Sequence, residues 1–224
     1  MSDAPVLIVV AGGASQRYGR DKLFEMLNGK PVFVHTLARL ASAAKRTVLV
    51  VPSAKRELFR ETVAGFLPGY KIVFADGGEN RPDSVRSGLA AAAPAPADLI
   101  AVHDAARPLA DAQLLRELCE LAAKVGGAVP GFPQFDAQKR VGPDGIVCAD
   151  LPREGVWNVG TPQVFRAALL RAAYERDVSG CLDDAEAVRK AGGKVAVLPT
   201  DAPNPKLTRP GDLKILEILL ARNR

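Results

Sequence analysis

The stretch Val6-Leu7-Ile8-Val9-Val10-Ala11-Gly12-Gly13-Ala14-Ser15-Gln16-Arg17-Tyr18-Gly19-Arg20-Asp21-Lys22 decides the fold. Five consecutive apolar residues, Val6 to Val10, read as a strand buried on both faces, and the small residues that follow let the backbone approach a ligand closely. Successive N–H groups in such a loop make an anion-binding concavity without help from side chains. Arg17 and Lys22 then add two cations. Taken alone, a glycine-rich turn after a strand is also an ordinary connection to a helix. The remainder of the chain has to separate the two.

Working outward, strand and helix alternate. Residues 47–51, 71–75, 99–102, 127–130 and 194–198 are short runs rich in Val, Ile and Leu, as buried strands are. Between them, residues 31–43, 55–66, 84–93, 111–124 and 165–175 have helical spacing, with Pro31 in the first turn of the first helix. Residues 183–190 and 212–221 read as later helices. This alternation predicts an α/β fold: a single Rossmann-like, doubly wound, mostly parallel sheet with helices on both faces and ligands outside the carboxyl ends of the strands. One region, residues 132–155, breaks the rhythm. There Gly142-Pro143-Asp144-Gly145 separates the strand-like runs 138–141 and 146–149, which predicts an inserted β-hairpin arm. A lone hairpin is marginally stable in water, so the arm needs a surface to pack on, in its own domain or in a partner subunit.

Composition narrows the function classes. The 224 residues suit one sizeable α/β domain spanning 1–224, with 48% hydrophobic and 25% charged residues, ordinary globular values that argue against disorder. The net charge of +5 comes from scattered rather than blocked basic residues, so small anionic ligands are expected and nucleic acid is not. Neither a membrane span nor a secretory leader is apparent, and a cytoplasmic protein with no membrane partner is expected. Cys119, Cys148 and Cys181 contain no C-x-x-C pair, and two histidines, His35 and His103, do not make a metal site. A bound metal would therefore have oxygen ligands.

Four further segments end strands or open helices and so can meet at one sheet edge. Gly77-Gly78-Glu79-Asn80-Arg81-Pro82-Asp83-Ser84-Val85 offers close backbone approach and a helix N-terminus. Val102-His103-Asp104-Ala105-Ala106-Arg107-Pro108 puts a carboxylate directly after a strand, where Asp104 can hold Mg²⁺ against phosphate oxygens or simply pair with Arg107. Gly160-Thr161-Pro162-Gln163 and Asn204-Pro205-Lys206-Leu207-Thr208-Arg209-Pro210-Gly211-Asp212-Leu213 complete the set, the last with Lys206 as a further cation.

Together and in this order, these segments resemble the 2-C-methyl-D-erythritol 4-phosphate cytidylyltransferase family of the non-mevalonate isoprenoid pathway, over nearly the whole chain. The resemblance implies a Mg²⁺-dependent enzyme that transfers CMP from CTP to 2-C-methyl-D-erythritol 4-phosphate with release of pyrophosphate, in non-mevalonate isoprenoid precursor synthesis. It implies that Ala11, Gly12 and Gly13 hold the phosphates and ribose, and that Gly78, Glu79 and Ser84 face the cytosine and its ribose. Asp104 would position the metal, with Ala105 beside it against the nucleotide. Arg17, Lys22 and Lys206 would neutralise the α-phosphate as the substrate's already ionised phosphate oxygen attacks it. Arg107, Arg153 and Asp183 would bind the substrate, Arg153 across a homodimer interface formed by the arm. Transfer of this kind needs positioning and charge neutralisation more than covalent chemistry, which suits a site of cations and backbone amides.

The chain departs from the family's usual form at several positions. Asp21 precedes Lys22 where a Pro is usual, Ala14-Ser15-Gln16 stands where a second Gly is common, and Pro205 lies inside the Lys206 segment. Ala137 and Leu182 replace two threonines that commonly contact substrate, which removes two hydroxyl donors from the acceptor side. Another alditol phosphate such as ribitol 5-phosphate, or a non-catalytic nucleotide-binding module, are the alternatives. A nicotinamide-dependent dehydrogenase is excluded, because Val51-Pro52-Ser53 supplies no acid after the second strand to hold a ribose.

Overall fold

The computed structural model describes residues 4–12, 18–19, 21–201 and 204–222. In chain order it runs β1 (Val6–Val10), β2 (Met26–Leu27), β3 (Lys30–Pro31), α1 (Val32–Leu40), β4 (Arg46–Val51), α2 (Arg56–Phe66), β5 (Ile72–Asp76), α3 (Arg81–Ala92), β6 (Leu99–Asp104) and α4 (Ala112–Val125). The second half comprises β7 (Gly127–Pro133), β8 (Gln138–Val141), β9 (Val147–Leu151), β10 (Trp157–Val159), β11 (Gln163–Arg166), α5 (Ala167–Tyr174), α6 (Asp184–Lys190), β12 (Ala196–Pro199) and α7 (Asp212–Arg222).

An eight-stranded sheet carries the order β7-β11-β6-β1-β4-β5, with β10 antiparallel and β12 parallel to β7. β1 pairs in parallel with both β4 and β6, and β4 with β5, so the first half is the expected parallel sheet. Because side chains alternate along a strand, Leu7 and Val9 of β1 enter one core with Phe33, Phe59, Leu115 and Leu216 of α1, α2, α4 and α7. Val6 and Ile8 enter the other core with Val85, Leu89, Leu170 and Val188 of α3, α5 and α6. Helices thus cover both faces. Among them α3 lies especially close, since a methyl group at Gly88 would sit 2.5 Å from Ile8 Cγ2 and 3.0 Å from Val50 Cγ2.

Three expectations need correction. The helix expected over 165–175 begins only at Ala167, because Gln163–Arg166 is an antiparallel strand that fills the gap between β6 and β7, with Val164 and Phe165 wholly buried. Two apolar residues between a Pro and an Arg carry too little period to separate strand from helix. The helix expected from residue 84 begins at Arg81, with Asn80 Oδ1 capping the Asp83 N–H at 2.9 Å. The arm's return strand is Val147–Leu151 rather than 146–149, after a turn in which Gly145 has φ +80°. As expected, β8 and β9 form a hairpin, and their two-stranded sheet is separate from the main one. Among the described residues, no helix is long and apolar enough to cross a membrane.

Candidate active site

At the carboxyl end of β1 the Ala11 N–H donates to the Val50 carbonyl at 2.8 Å, and the Ala105 N–H, just past β6, donates to the Val10 carbonyl at 3.0 Å. These bonds carry the sheet's pairing one residue past its edge and bring three loops together. The loops enclose a cavity of about 300 Å³ lined by Ala11, Gly12, Lys22, Glu79, Asn80, Arg81, Ser84, Asp104, Ala105 and Lys206 among others.

One wall is the N-terminus of α3. The Gly78 N–H donates to Ser84 Oγ at 3.2 Å, and Ser84 Oγ donates to the Asn80 carbonyl at 3.0 Å, which folds the Gly77-Gly78 turn onto the helix. A side chain at Gly12 would press against that hydroxyl, with its Cβ 3.1 Å from Ser84 Oγ, so only glycine leaves this gap open. Lys22, which also lines the cavity, begins a short 3₁₀ turn whose Leu23 N–H is accepted by Asp21 Oδ1 at 3.2 Å, while Asp21 Oδ2 meets Lys55 Nζ at 2.7 Å. The Asp that replaces the usual Pro thus fixes the Lys22 turn by capping it.

Asp104 forms the floor. It is 8% exposed, yet three cations face it: Lys206 Nζ at 2.9 Å, Arg107 Nε at 3.5 Å and Arg81 Nε at 3.5 Å. Burial by itself would push its carboxyl pKa up; the charges of Lys206, Arg81 and Arg107 more than offset this and hold it well below the usual carboxylate range. The expected Asp104–Arg107 pair is therefore real and is one of three. Lys206 arrives from the far end of the chain because the Leu207 N–H donates to the Ala106 carbonyl at 2.9 Å. Asn204 secures the same loop, taking the Leu109 N–H on its side-chain oxygen at 3.1 Å and donating to the Thr161 carbonyl at 3.2 Å.

Behind Asp104 lies a histidine that cannot serve as a base. His103 is fully buried, with Nε2 3.0 Å from the Arg107 carbonyl and Nδ1 2.9 Å from Thr161 Oγ1. A carbonyl only accepts, so Nε2 carries the proton and Nδ1 accepts from Thr161, whose oxygen in turn takes the Asp104 N–H at 3.1 Å. Burial pushes the His103 pKa down to about 4, against the raising effect of the Arg107 carbonyl and Asp104.

The structure divides the sequence-predicted residues. Ala11, Gly12, Lys22, Glu79, Ser84, Asp104, Ala105 and Lys206 line one cavity, and Gly78 stands at its rim. Gly13 and Arg17 lie outside the described residues. The three residues assigned to the substrate are not gathered with the others. Arg107 turns its Nη1 to the Asn204 carbonyl at 2.8 Å and lines a neighbouring cavity of about 580 Å³ with Thr161, Asn158 and Phe132. Asp183 accepts from the Glu186 N–H at 2.9 Å and from Gln163 Nε2 at 2.9 Å, so it caps α6 instead of facing the main cavity. Arg153 is exposed in the arm and donates to the Phe135 carbonyl at 3.0 Å. Ala137 is exposed as well, and Leu182 is 92% exposed, so neither departure disturbs the core.

Sequence reasoning missed Arg81. A signal was present: Arg81 is the first residue of α3, where the positive end of the helix dipole disfavours a cation, so an Arg there needs a carboxylate partner. It has two, Asp104 and the buried Asp184.

A metal that arrives with a nucleotide fits this donor set better than a caged one. Among the described residues there is no group of three or more His, Cys, Asp and Glu able to hold a metal, but Asp104, held ionised, lies in the wall of a cation-rich pocket that Glu79 also lines. Mg²⁺ is commonly held by one or two carboxylates plus phosphate oxygens and water.

Residues 5–222 match the sequence profile described as 2-C-methyl-D-erythritol 4-phosphate cytidylyltransferase. A protein of that name from Dehalococcoides mccartyi is 39% identical over 220 residues, covering 97% of this chain and 96% of the relative. A solved structure of a 4-diphosphocytidyl-2C-methyl-D-erythritol synthase superposes with a TM-score of 0.81 at 31% identity, covering 97% of this chain and 99% of the other. The 2-C-methyl-D-erythritol 4-phosphate cytidylyltransferase from Thermus thermophilus gives a TM-score of 0.76 at 30% identity, covering 96% and 98%.

Proposed function

Because the chain belongs to the 2-C-methyl-D-erythritol 4-phosphate cytidylyltransferase family, and so transfers CMP from CTP to that alditol phosphate in isoprenoid synthesis, we propose that the Asp104 cavity is where the nucleotide reacts. The observation that carries this reading is the convergence of Lys22, Arg81, Lys206 and Asp104, from four distant parts of the sequence, on one 300 Å³ space beside a glycine turn and a helix N-terminus.

Ala11 and Gly12 present backbone to the phosphates and ribose. Gly78, Glu79 and Ser84 face the base, and Ala105 packs beside the nucleotide. Lys22 and Lys206 both line the cavity, so they are assigned to meet the negative charge that develops on the α-phosphate as pyrophosphate leaves; Arg17 is assigned to the same task. The acceptor's phosphate oxygen is ionised at neutral pH, so the attack needs no general base, in keeping with a His103 that is neutral, buried and committed to Thr161 and Arg107. Asp104 would hold Mg²⁺, which would supply positive charge to offset that of the phosphates.

The acceptor is assigned to the neighbouring cavity that Arg107 lines, completed by the arm of a second copy with Arg153. The support is the arm's own surface: Val141 and Val147 on its two strands, and Phe135 and Ile146 in the segments that flank them, are all more than half exposed, and a sheet of two strands is marginal without cover. The reaction is assigned to the cytoplasm, where CTP is held.

The experiment is pyrophosphate release from CTP with 2-C-methyl-D-erythritol 4-phosphate or ribitol 5-phosphate, in Mg²⁺ or in excess EDTA. Turnover with the first acceptor in Mg²⁺ and its loss in EDTA are expected. Undiminished turnover in EDTA would overturn the metal assignment, and an equal rate with ribitol 5-phosphate would overturn the acceptor-site reading.

A further inference from the structure

Asp184 is wholly buried at the start of α6, far in sequence from the cavity it serves. Its carboxylate takes a two-pronged bond from Arg81, Nη1 to Oδ1 at 3.0 Å and Nη2 to Oδ2 at 2.6 Å, and the Tyr174 hydroxyl donates to Oδ1. With both Nη groups so held, the guanidinium's remaining edge is turned toward the cavity, and Arg81 Nε lies 3.5 Å from Asp104 Oδ1. The other Asp104 oxygen, Oδ2, faces Lys206 and Arg107.

A charged pair is an inefficient way to tie α3 to α6. Removing two ions from water is costly, and apolar residues of the same volume commonly hold helices together as well or better. What the fork supplies, and an apolar contact does not, is direction: a bidentate bond fixes the plane of the guanidinium. The pair also sits where the α3 dipole opposes a cation, a further cost that simple helix tethering would not call for.

We propose that Asp184 is a positioning residue for the transfer reaction, aiming Arg81 so that Asp104 is held in one orientation toward the nucleotide's phosphates and metal. Asp184 touches no reacting atom; it acts through Arg81. The inference rests on the reading of Asp104 given above, and its test separates the two.

The full-length enzyme is compared as wild type, D184N, D104N and the double variant, by steady-state kinetics and by calorimetric CTP binding without acceptor, in Mg²⁺ and in EDTA. D184N is expected to lower kcat about tenfold with the KM for CTP changed less than about threefold, because an aiming defect is felt chiefly in the transition state. It is expected to weaken CTP binding in Mg²⁺ and not in EDTA, and to add nothing in the D104N background, since residues acting as a unit are non-additive. The same fold-loss in both backgrounds, or equal weakening with and without Mg²⁺, would mean that Asp184 serves only the fold. If D104N itself binds CTP in Mg²⁺ as tightly as wild type, the underlying assignment of Asp104 fails instead. Should D184N not fold, R81K takes its place in the cycle: it keeps the charge and loses the fork, so it is expected to reproduce the D184N pattern, and wild-type kcat in R81K overturns the proposal.

Discussion

The Asp104 pocket and the arm solve opposite problems. Around Asp104 the polar groups near the strand ends are engaged within one chain: three cations on the carboxylate, the Asp104 N–H on Thr161, His103 between Thr161 and Arg107. In the arm, β8 pairs with β9 in a sheet of their own, and its large apolar side chains face outward. On the proposed reading, the nucleotide half of the site is built within one subunit, whereas the acceptor half needs the arm of a second. Chemistry that depends on the pocket should survive changes in the arm, and the reverse should not hold.

The largest effect tests the pocket. Lys206→Ala is expected to lower kcat about 10²-fold or more, the usual loss when one donor to developing negative charge is removed. A loss of less than about fivefold by steady-state assay would remove Lys206 from the chemistry.

Next comes acid stability, which the pocket dictates and the arm does not. His103 is neutral in the folded protein with a pKa of about 4, against about 6.5 unfolded. Between those values the unfolded chain binds more protons, so this stabilisation is present above pH 6.5 and declines as pH falls toward 4, by on the order of 3 kcal/mol in all. Urea midpoints measured across that interval should fall for wild type, and His103→Gln should flatten the slope. An unchanged slope in the variant would assign the acid sensitivity elsewhere.

The arm is tested by Arg153→Ala, expected to raise the KM for methylerythritol phosphate about tenfold, as when a charged hydrogen bond is lost, with CTP binding unchanged. Sharper still is a mixture of the Arg153→Ala and Lys206→Ala variants, assayed with acceptor well below its wild-type KM. If two copies share each site, random exchange restores about a quarter of wild-type activity, because half the dimers carry one intact composite site of two. No recovery after verified exchange would break the comparison by making each acceptor site the property of one chain.

The smallest effect is expected from Ala137→Thr. A restored hydroxyl should favour methylerythritol phosphate over ribitol 5-phosphate in kcat/KM by about fivefold, less than a fully formed charged hydrogen bond would give. An unchanged ratio would place Ala137 outside the substrate's reach.

Much of this was legible from the chain. Val6 to Val10, buried on both faces, and the repeated Val-rich runs could only be inner strands of a covered sheet, and the small residues after β1 marked its working edge. Because parallel strands put all their carboxyl ends on one side, the Lys22, Asp104 and Lys206 segments were expected to be able to meet there, and in the structure they line one cavity. Two kinds of feature were hidden. Gln163–Arg166 is too short to show a period, and only its insertion between β6 and β7 makes it a strand. Asp183 and Asp184 are neighbours with like chemistry, and the resemblance pointed only to the first; the fold has Asp183 capping a helix and Asp184 turned inward to Arg81. That choice depends on which way a helix enters the core, which composition does not encode.

The absence of a side chain at Gly88 reaches further than core packing. It lets α3 settle against Ile8 and Val50, and the helix's first turn, with Ser84, comes down with it to meet Gly12. The gap between Gly12 and Ser84, assigned above to the base, is therefore gauged by a missing methyl one helical turn away. A single added carbon there would act as a shim, widening that gap while leaving every group assigned to the nucleotide chemically intact.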